Sequence, residues 1–116
     1  MSVNSRIIKA LKPFGYPVNL DFYNGKEERY FSFNYADDRA ISYADNEPVE
    51  AKAWVQIHLF LPAKENYLTL KKQVRKALFK AGFSYPSVEM DVEDEIEPVR
   101  HLIFECETHN NEELEA

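Results

Sequence analysis

The chain has 116 residues and a formal net charge of −6, a length that suits one domain and is too short for two independent cores. Apolar residues make up 45% of it and charged residues 29%, which predicts a folded domain and excludes a chain that is disordered throughout. Its longest apolar run is far below the roughly 20 residues of a membrane span, and its first residues lack the features of an export signal, so no membrane partner is predicted.

Charge is distributed unevenly along the chain. Residues 1–80 carry 13 basic and 9 acidic side chains, whereas residues 81–116 carry Arg100 and 11 acidic side chains. This acidic end argues against ordinary binding of duplex DNA, because contacts with phosphate supply most of that affinity. Cys106 is the only cysteine, which excludes a disulfide within the chain and indicates a small apolar residue in a strand.

The first elements are predicted to be a helix and a β-hairpin. Val3–Leu11 has the apolar spacing of a short helix. Apolar and polar residues then alternate over residues 18–23, which predicts a half-buried strand. The dipeptide Asn24-Gly25 follows, and it predicts a type I′ turn into a second strand over residues 29–35.

The middle of the chain is predicted to hold a long polar loop and the central strand. Residues 36–49 have turn-forming residues at both ends, and a loop of this length in a small domain is usually functional or an assembly element. We expect residues 37–50 to be mobile in the isolated subunit, because they bury too little apolar surface to offset the entropy of ordering them. Residues 51–61 carry apolar side chains on both faces, which predicts a central strand that is covered on both sides.

The clearest helical pattern covers residues 66–83. Apolar residues recur there at about 3.6 residues per turn, which predicts a helix that packs one stripe on the core. The stripe consists of Tyr67, Leu70, Val74, Ala77, Leu78 and Ala81. The residues that we expect at the centre of the core are Val74, Leu78, Ile57, Phe33 and Phe104.

The other sides of this helix carry lysines and two large apolar residues. Lys72, Lys76 and Lys80 recur at every fourth position, which indicates a solvated face or, as the alternative, a basic surface for a partner. Leu68 and Phe79 stand on the flank of the helix, where exposed large apolar groups can mark a subunit contact.

A strongly acidic strand is predicted after the helix. Valine and methionine alternate with Glu89, Asp91 and Glu93, which predicts one apolar face on the core and one carboxylate face toward solvent or a lumen. Alternate carboxylates on a strand point outward in a row and do not converge, so they give little support to a divalent-cation site.

The elements together predict a single α+β domain over residues 1–107. It should contain a mostly antiparallel sheet of about five strands, flanked by an N-terminal helix and one longer helix. Residues 108–116 are polar, and we expect them to form a flexible acidic C-terminal tail.

The sequence contains no pattern that indicates catalytic, cofactor-binding or metal-binding residues, and we predict that the protein is not an enzyme. The chain has three glycines, too few for a glycine-rich phosphate loop, and no motif frames a nucleophile. His58, His101 and His109 lie far apart without the spacing of metal ligands. We expect His58 to be a packed or hydrogen-bonded strand histidine.

Several degenerate motifs follow one another over nearly the whole chain. They are Gly15-Tyr16-Pro17-Val18, residues 30–38, residues 43–48, residues 54–59, the helix that ends in Gly82-Phe83, and residues 100–104. In their order and spacing they resemble the tail terminator, or tail completion, proteins of long-tailed (siphovirus-type) bacteriophages and prophages, a family of small minor tail components. Phage head-closure and neck proteins are similar in size and remain the alternative.

This resemblance implies a homo-oligomeric ring, commonly a hexamer, that caps the tail tube, terminates tail growth and forms the tail side of the head-tail joint. The implied partners are other copies of the chain, the tail tube protein and a head-completion protein, while DNA passes through without specific binding. The implied location is the virion tail, after synthesis in the cytoplasm of the bacterial host, and no cofactor is implied.

Two sets of residues are expected to serve such a ring. The subunit interface is predicted to include Leu68, Phe79, Asp45 and Asn46. The lumen is predicted to be lined by Glu89, Asp91 and Glu93.

Two other classes of function stay open on the residues alone. One is a small non-enzymatic protein-binding module whose basic helix surface holds an acidic partner, and such a module would stay monomeric where a tail subunit would self-associate. The other is an acidic metal-dependent hydrolase, which would bind divalent cations tightly at the carboxylate strand.

Overall fold

The computed structural model describes residues 1–115, in which a five-stranded mixed sheet is flanked by two α-helices. The helices are α1, Val3–Leu11, and α2, Tyr67–Lys80. The strands are β1, Val18–Leu20; β2, Tyr30–Ala44; β3, Glu47–Pro62; β4, Ser87–Glu93; and β5, Val99–His109. Short 3-10 turns follow α1 and β5, at Lys12–Phe14 and Asn111–Leu114. The predicted α+β class is therefore confirmed, as are the five strands and the two flanking helices.

The strand order is β1-β2-β3-β5-β4, which places β3 at the centre of the sheet as predicted. Along β3 the odd-numbered residues from 51 to 61 are buried and the even-numbered residues from 52 to 62 are half-buried, because alternate side chains project to opposite faces. Buried residues of α1 and α2 belong to the same cluster as the odd-numbered residues from 53 to 61. Both helices thus cover one face of the sheet, and the prediction that β3 is covered on both sides is wrong.

The core contains the residues that the hydrophobic pattern selects. The five predicted at its centre, Val74, Leu78, Ile57, Phe33 and Phe104, are each at most 1% exposed. Cys106 is buried beside them, and burial raises the pKa of its thiol to about 12, which fits a packing role. Within residues 1–115 no helix is long and apolar enough to cross a membrane.

The predicted hairpin at Asn24-Gly25 is wrong, because β1 runs parallel to β2. Residues 21–29 form the connection, and Gly25 does not take the positive φ that a type I′ turn requires. Instead Gly25 lies against the Tyr23 ring, which a Cβ at this position would overlap. The Tyr23 hydroxyl accepts a hydrogen bond from the Glu27 N–H at 3.0 Å. The segment is therefore organised around an aromatic ring, a feature that the dipeptide alone does not reveal.

The predicted long loop over residues 36–49 is also wrong. Here β2 and β3 continue their antiparallel pairing up to Ala44 and Glu47, and Asp45 and Asn46 make the turn with φ values of 52° and 64°. Positive φ at both central residues is the requirement of a type I′ turn. Cross-strand hydrogen bonds thus order a segment whose composition reads as a loop. We call residues 40–50 the arm.

The arm extends the molecule, which measures 54 × 25 × 22 Å. At its base the guanidinium carbon of Arg39 lies 5.1 Å from the centroid of the Trp54 ring. On the other edge the Ala51 N–H donates to Asn111 Oδ1 at 2.8 Å, and the Ala51 carbonyl accepts from the Asn110 N–H at 2.8 Å. These contacts fix the base of the arm.

The end of the chain is more ordered than the predicted boundary at residue 107 implies. Strand β5 continues to His109, and Thr108 is 5% exposed. Arg6 donates to the Thr108 hydroxyl at 2.8 Å, which ties β5 to α1. The predicted flexible tail, residues 108–116, thus begins as strand and turn, and its last residue lies outside the described part of the chain. The flexibility of the tail stays a prediction.

Candidate functional site

The outer side of α2 carries three lysines and two large apolar residues. Leu68 is 61% exposed and Phe79 is 57% exposed. Successive residues of a helix are rotated by about 100° around its axis, so Leu68, Phe79 and Lys72 lie within roughly 40° of one another. Lys76 and Lys80 lie further around the helix on the side of Lys72. None of the three ammonium groups forms an ion pair with a carboxylate of residues 1–115. We call these five residues the α2 outer surface, and their role in a subunit interface stays a prediction.

Tyr85 adds a third apolar group to this surface. Its ring meets the Phe79 ring edge-on with centroids 5.9 Å apart, and 49% of Tyr85 is exposed. Arg75 holds it in place, because the guanidinium lies 4.8 Å from the Tyr85 centroid and Nε donates to the Pro86 carbonyl at 2.9 Å. Sequence reasoning missed Tyr85 because it follows the helix and belongs to no periodic pattern.

The arm combines exposed apolar side chains with unpaired carboxylates. Ile41, Tyr43 and Val49 are 41%, 63% and 47% exposed. Residues 40–50 contain three acidic and no basic side chains, and none of these carboxylates pairs with a cation of residues 1–115. The three are Asp45, Glu47 and Glu50. The predicted interface residues Asp45 and Asn46 thus lie at the turn of the arm, on a different element from Leu68 and Phe79.

The two edges of the arm lack neighbouring strands in the described chain. Strand β1 pairs with β2 only at residues 31–33, and β5 pairs with β3 only from Lys52 onward. Three register shifts interrupt β2 between Tyr35 and Tyr43. Bulges and charges on an edge disfavour pairing with a further strand, so the arm offers side chains and not a backbone edge.

Strand β4 does not have the predicted acidic face. A register shift between Val88 and Met90 reverses the alternation of side chains. Val88 packs on the core, but Met90 and Val92 are 37% and 48% exposed, and Asp91 turns toward α2. The predictions that Met90 and Val92 face the core, and that Asp91 shares a face with Glu89, are therefore wrong.

Asp91 lies between two cations. Its carboxylate accepts hydrogen bonds from Lys71 Nζ at 2.7 Å and from an Arg100 guanidinium nitrogen at 2.6 Å, and the Arg100 guanidinium carbon lies 3.9 Å from the Tyr67 ring centroid. Burial by itself raises the pKa of the Asp91 carboxyl, but the hydrogen bonds from Lys71 and Arg100 outweigh it and hold that pKa below its ordinary value. Asp91 therefore connects α2 with β4 and β5.

A row of aromatic and imidazole rings crosses the uncovered face of the sheet. In order, the rings are Tyr23, Tyr30, Phe60, His101 and His58, with successive centroids 4.6, 4.7, 4.1 and 5.2 Å apart. His58 Nδ1 lies 2.9 Å from His101 Nε2, and His58 Nε2 lies 2.8 Å from Asn34 Oδ1. Because an amide oxygen only accepts, neutral His58 donates from Nε2 and accepts from His101 at Nδ1.

This geometry confirms the prediction that His58 is a hydrogen-bonded strand histidine. Its pairing with His101 was missed, because the two residues are distant in sequence and only the register of β3 with β5 brings them together. Within residues 1–115 no three histidine, cysteine or carboxylate side chains group in a way that could hold a metal ion.

Acidification is expected to destabilise the fold through this pair. Burial lowers the pKa of both His58 and His101 below the ordinary value of 6.5. The unfolded chain then binds protons more readily, so stability is full above about pH 6.5 and falls as the pH drops toward the folded-state values. Urea unfolding at several pH values between about 8 and 5 measures how steeply the free energy of unfolding falls with pH.

Two variants separate this effect from others. His101→Phe keeps a ring in the row and should weaken the dependence of the free energy of unfolding on pH. His109→Asn changes a histidine at an exposed position and should leave that dependence unchanged. A slope that is equal in the native chain and in His101→Phe would contradict the assignment.

Comparison with known proteins gives a match in structure and none in sequence. No family model matches the chain, and no curated protein matches it. Among solved structures, a chain from the virion of a native gene transfer agent particle matches with a TM-score of 0.57 and 12% sequence identity over 94% of both chains. The two chains are similar in fold. Membership of the tail terminator family stays a prediction.

Proposed function

We propose that this chain is a structural subunit of a phage-like virion that assembles with copies of itself and with other virion proteins and has no catalytic role. The observation that carries the proposal is the shared fold with a chain of the gene transfer agent virion, over 94% of both chains. The arm and the α2 outer surface support it, because exposed apolar groups flanked by charge are typical of surfaces that become buried on assembly.

Within the virion, we propose the role of the family that the sequence motifs resemble. Copies of the chain form a ring, commonly a hexamer in that family, which caps the tail tube and ends its growth. One side of the ring contacts the tail tube protein and the other contacts a head-completion protein. The subunit is made in the host cytoplasm and resides in the tail.

Deleting the gene from the phage or prophage that encodes it tests this role. If the ring terminates growth, its loss should yield tails of uncontrolled length without attached heads, as seen by electron microscopy, and a plasmid-borne copy should restore joined particles. Tails of normal length without heads would assign the chain to head closure instead. Normal infectious particles would show that the proposed function is wrong.

A ring that DNA crosses also suggests a role for an acidic residue of β4. We propose that Glu89, which is exposed, faces the lumen, whereas Asp91 is engaged by Lys71 and Arg100, and Glu93 lies on the same side of β4 as Asp91. Carboxylates repel phosphate and let the duplex slide. Complementing the deletion with a Glu89→Lys variant should give assembled particles with reduced DNA delivery at low salt, whereas Glu93→Lys should not reduce it. Normal delivery would exclude this lumen role.

A further inference from the structure

We propose that the arm of one subunit docks on the α2 outer surface of a second copy of this chain. The inference rests on the proposed function, because it specifies how copies of the subunit contact one another. It concerns two surfaces of the same chain that are exposed, chemically complementary and unconnected by any ion pair within residues 1–115.

The charges of the two surfaces match in number and are opposite in sign. The arm contributes three carboxylates, those of Asp45, Glu47 and Glu50. The helix contributes three ammonium groups, those of Lys72, Lys76 and Lys80. All six residues are exposed in the monomer. Opposite potentials of this kind steer two proteins together and fix their orientation.

The apolar groups of the two surfaces are also complementary. The arm exposes Ile41, Tyr43 and Val49, and the α2 outer surface exposes Leu68 and Phe79, with Tyr85 beside them. Aromatic and aliphatic groups with charged side chains beside them are typical of a subunit contact.

The form of the arm indicates why it needs such a partner. A two-stranded hairpin is marginally stable by itself in water, so burial of its apolar side chains against a neighbour offsets the cost of ordering it. Its bulged and charged edges disfavour the addition of a strand, which leaves the side chains as the means of contact.

The geometry of the contact also agrees with a ring. The arm and the α2 outer surface are different parts of the subunit, so each subunit can give an arm to one neighbour and receive an arm from another. Such heterologous contacts build closed rings when the rotation closes.

Charge reversal tests the contact directly. The arm-reversed variant carries Asp45→Lys, Glu47→Lys and Glu50→Lys, and the helix-reversed variant carries Lys72→Glu, Lys76→Glu and Lys80→Glu. At low salt, sedimentation should show that each variant alone associates at least about tenfold more weakly than the native chain. The control Lys9→Glu, Lys12→Glu, Lys26→Glu has the same net charge as the helix-reversed variant but changes exposed lysines elsewhere, and it should associate like the native chain.

Mixing the two reversed variants gives the decisive result. In the mixture a basic arm meets an acidic helix and an acidic arm meets a basic helix, so both contacts are restored and assembly should return to within about threefold of the native level. Circular dichroism of each variant alone verifies that it is folded.

Three outcomes would overturn the proposal. They are native-like association of either reversed variant alone, a folded mixture that stays monomeric, and a native chain that stays monomeric at every concentration. Binding of DNA or an unrelated acidic protein that is lost only in the helix-reversed variant, with self-association unchanged, would likewise assign the lysines to another partner. If the docking fails but deletion of the gene still gives the tail defect, the proposed function stands without this contact.

Discussion

Leu78→Ala is expected to lower the free energy of unfolding by about 2–5 kcal/mol. Leu78 is fully buried where α2 packs on the sheet, in the same cluster as residues of β3 and β5. Truncation removes apolar contacts and leaves a cavity, because neighbouring side chains relax only partly into the space. Urea unfolding monitored by circular dichroism measures the loss.

Leu68→Ala is the matched control on the same helix. The chemical change is identical, but Leu68 is 61% exposed, so unfolding free energy should change by no more than about 0.5 kcal/mol. If Leu78→Ala costs less than about 0.5 kcal/mol, the packing of α2 described above is incorrect. Leu68→Ala should instead weaken self-association, which separates the inner from the outer side of the helix.

Among substitutions of single charged residues, Asp91→Asn should be the most destabilising. It is expected to lower the free energy of unfolding by about 1.5–3 kcal/mol. The side chains of Asp91, Lys71 and Arg100 are 22%, 22% and 18% exposed, so removing the carboxylate leaves two largely buried cations without a counter-charge. Because the folded-state pKa of Asp91 is held below its ordinary value of 3.8, this contribution is present above that pH and is lost as the pH falls through the folded-state pKa.

Glu93→Gln provides the comparison for Asp91. Glu93 lies two residues further along β4 and is exposed, so the same neutralisation should change stability by about 0.5 kcal/mol or less. Equal losses for the two variants would show that the contacts of Asp91 with Lys71 and Arg100 contribute nothing specific. The pH range also separates Asp91 from the histidine pair, since the loss of stability through the imidazoles begins below about pH 6.5 and the loss through Asp91 begins only below about pH 3.8.

Local periodicity was sufficient to predict the class of the fold and most of its core. Residues such as Val74 and Leu78 on α2, or Ile57 on β3, lie on elements with one strongly apolar face, and the repeat of 3.6 or 2 residues identifies that face before any tertiary contact is known. For the same reason the exposure of Leu68 and Phe79 was predictable. The order of motifs along the chain likewise predicted a virion role, and a chain from the gene transfer agent virion has a similar fold.

Only the tertiary structure decided where strands pair and which polar groups meet. The arm reads as a loop because both its faces are solvated, so no alternation of buried and exposed residues marks its strands. A single extra residue between Val88 and Met90 rotates Asp91 toward α2, and composition carries no sign of it. His58 and His101 become neighbours through the register of β3 and β5, which is set by long-range packing. The chain alone thus determined the faces of its regular elements, whose pattern is local, whereas pairing, bulges and polar contacts depend on residues distant in sequence.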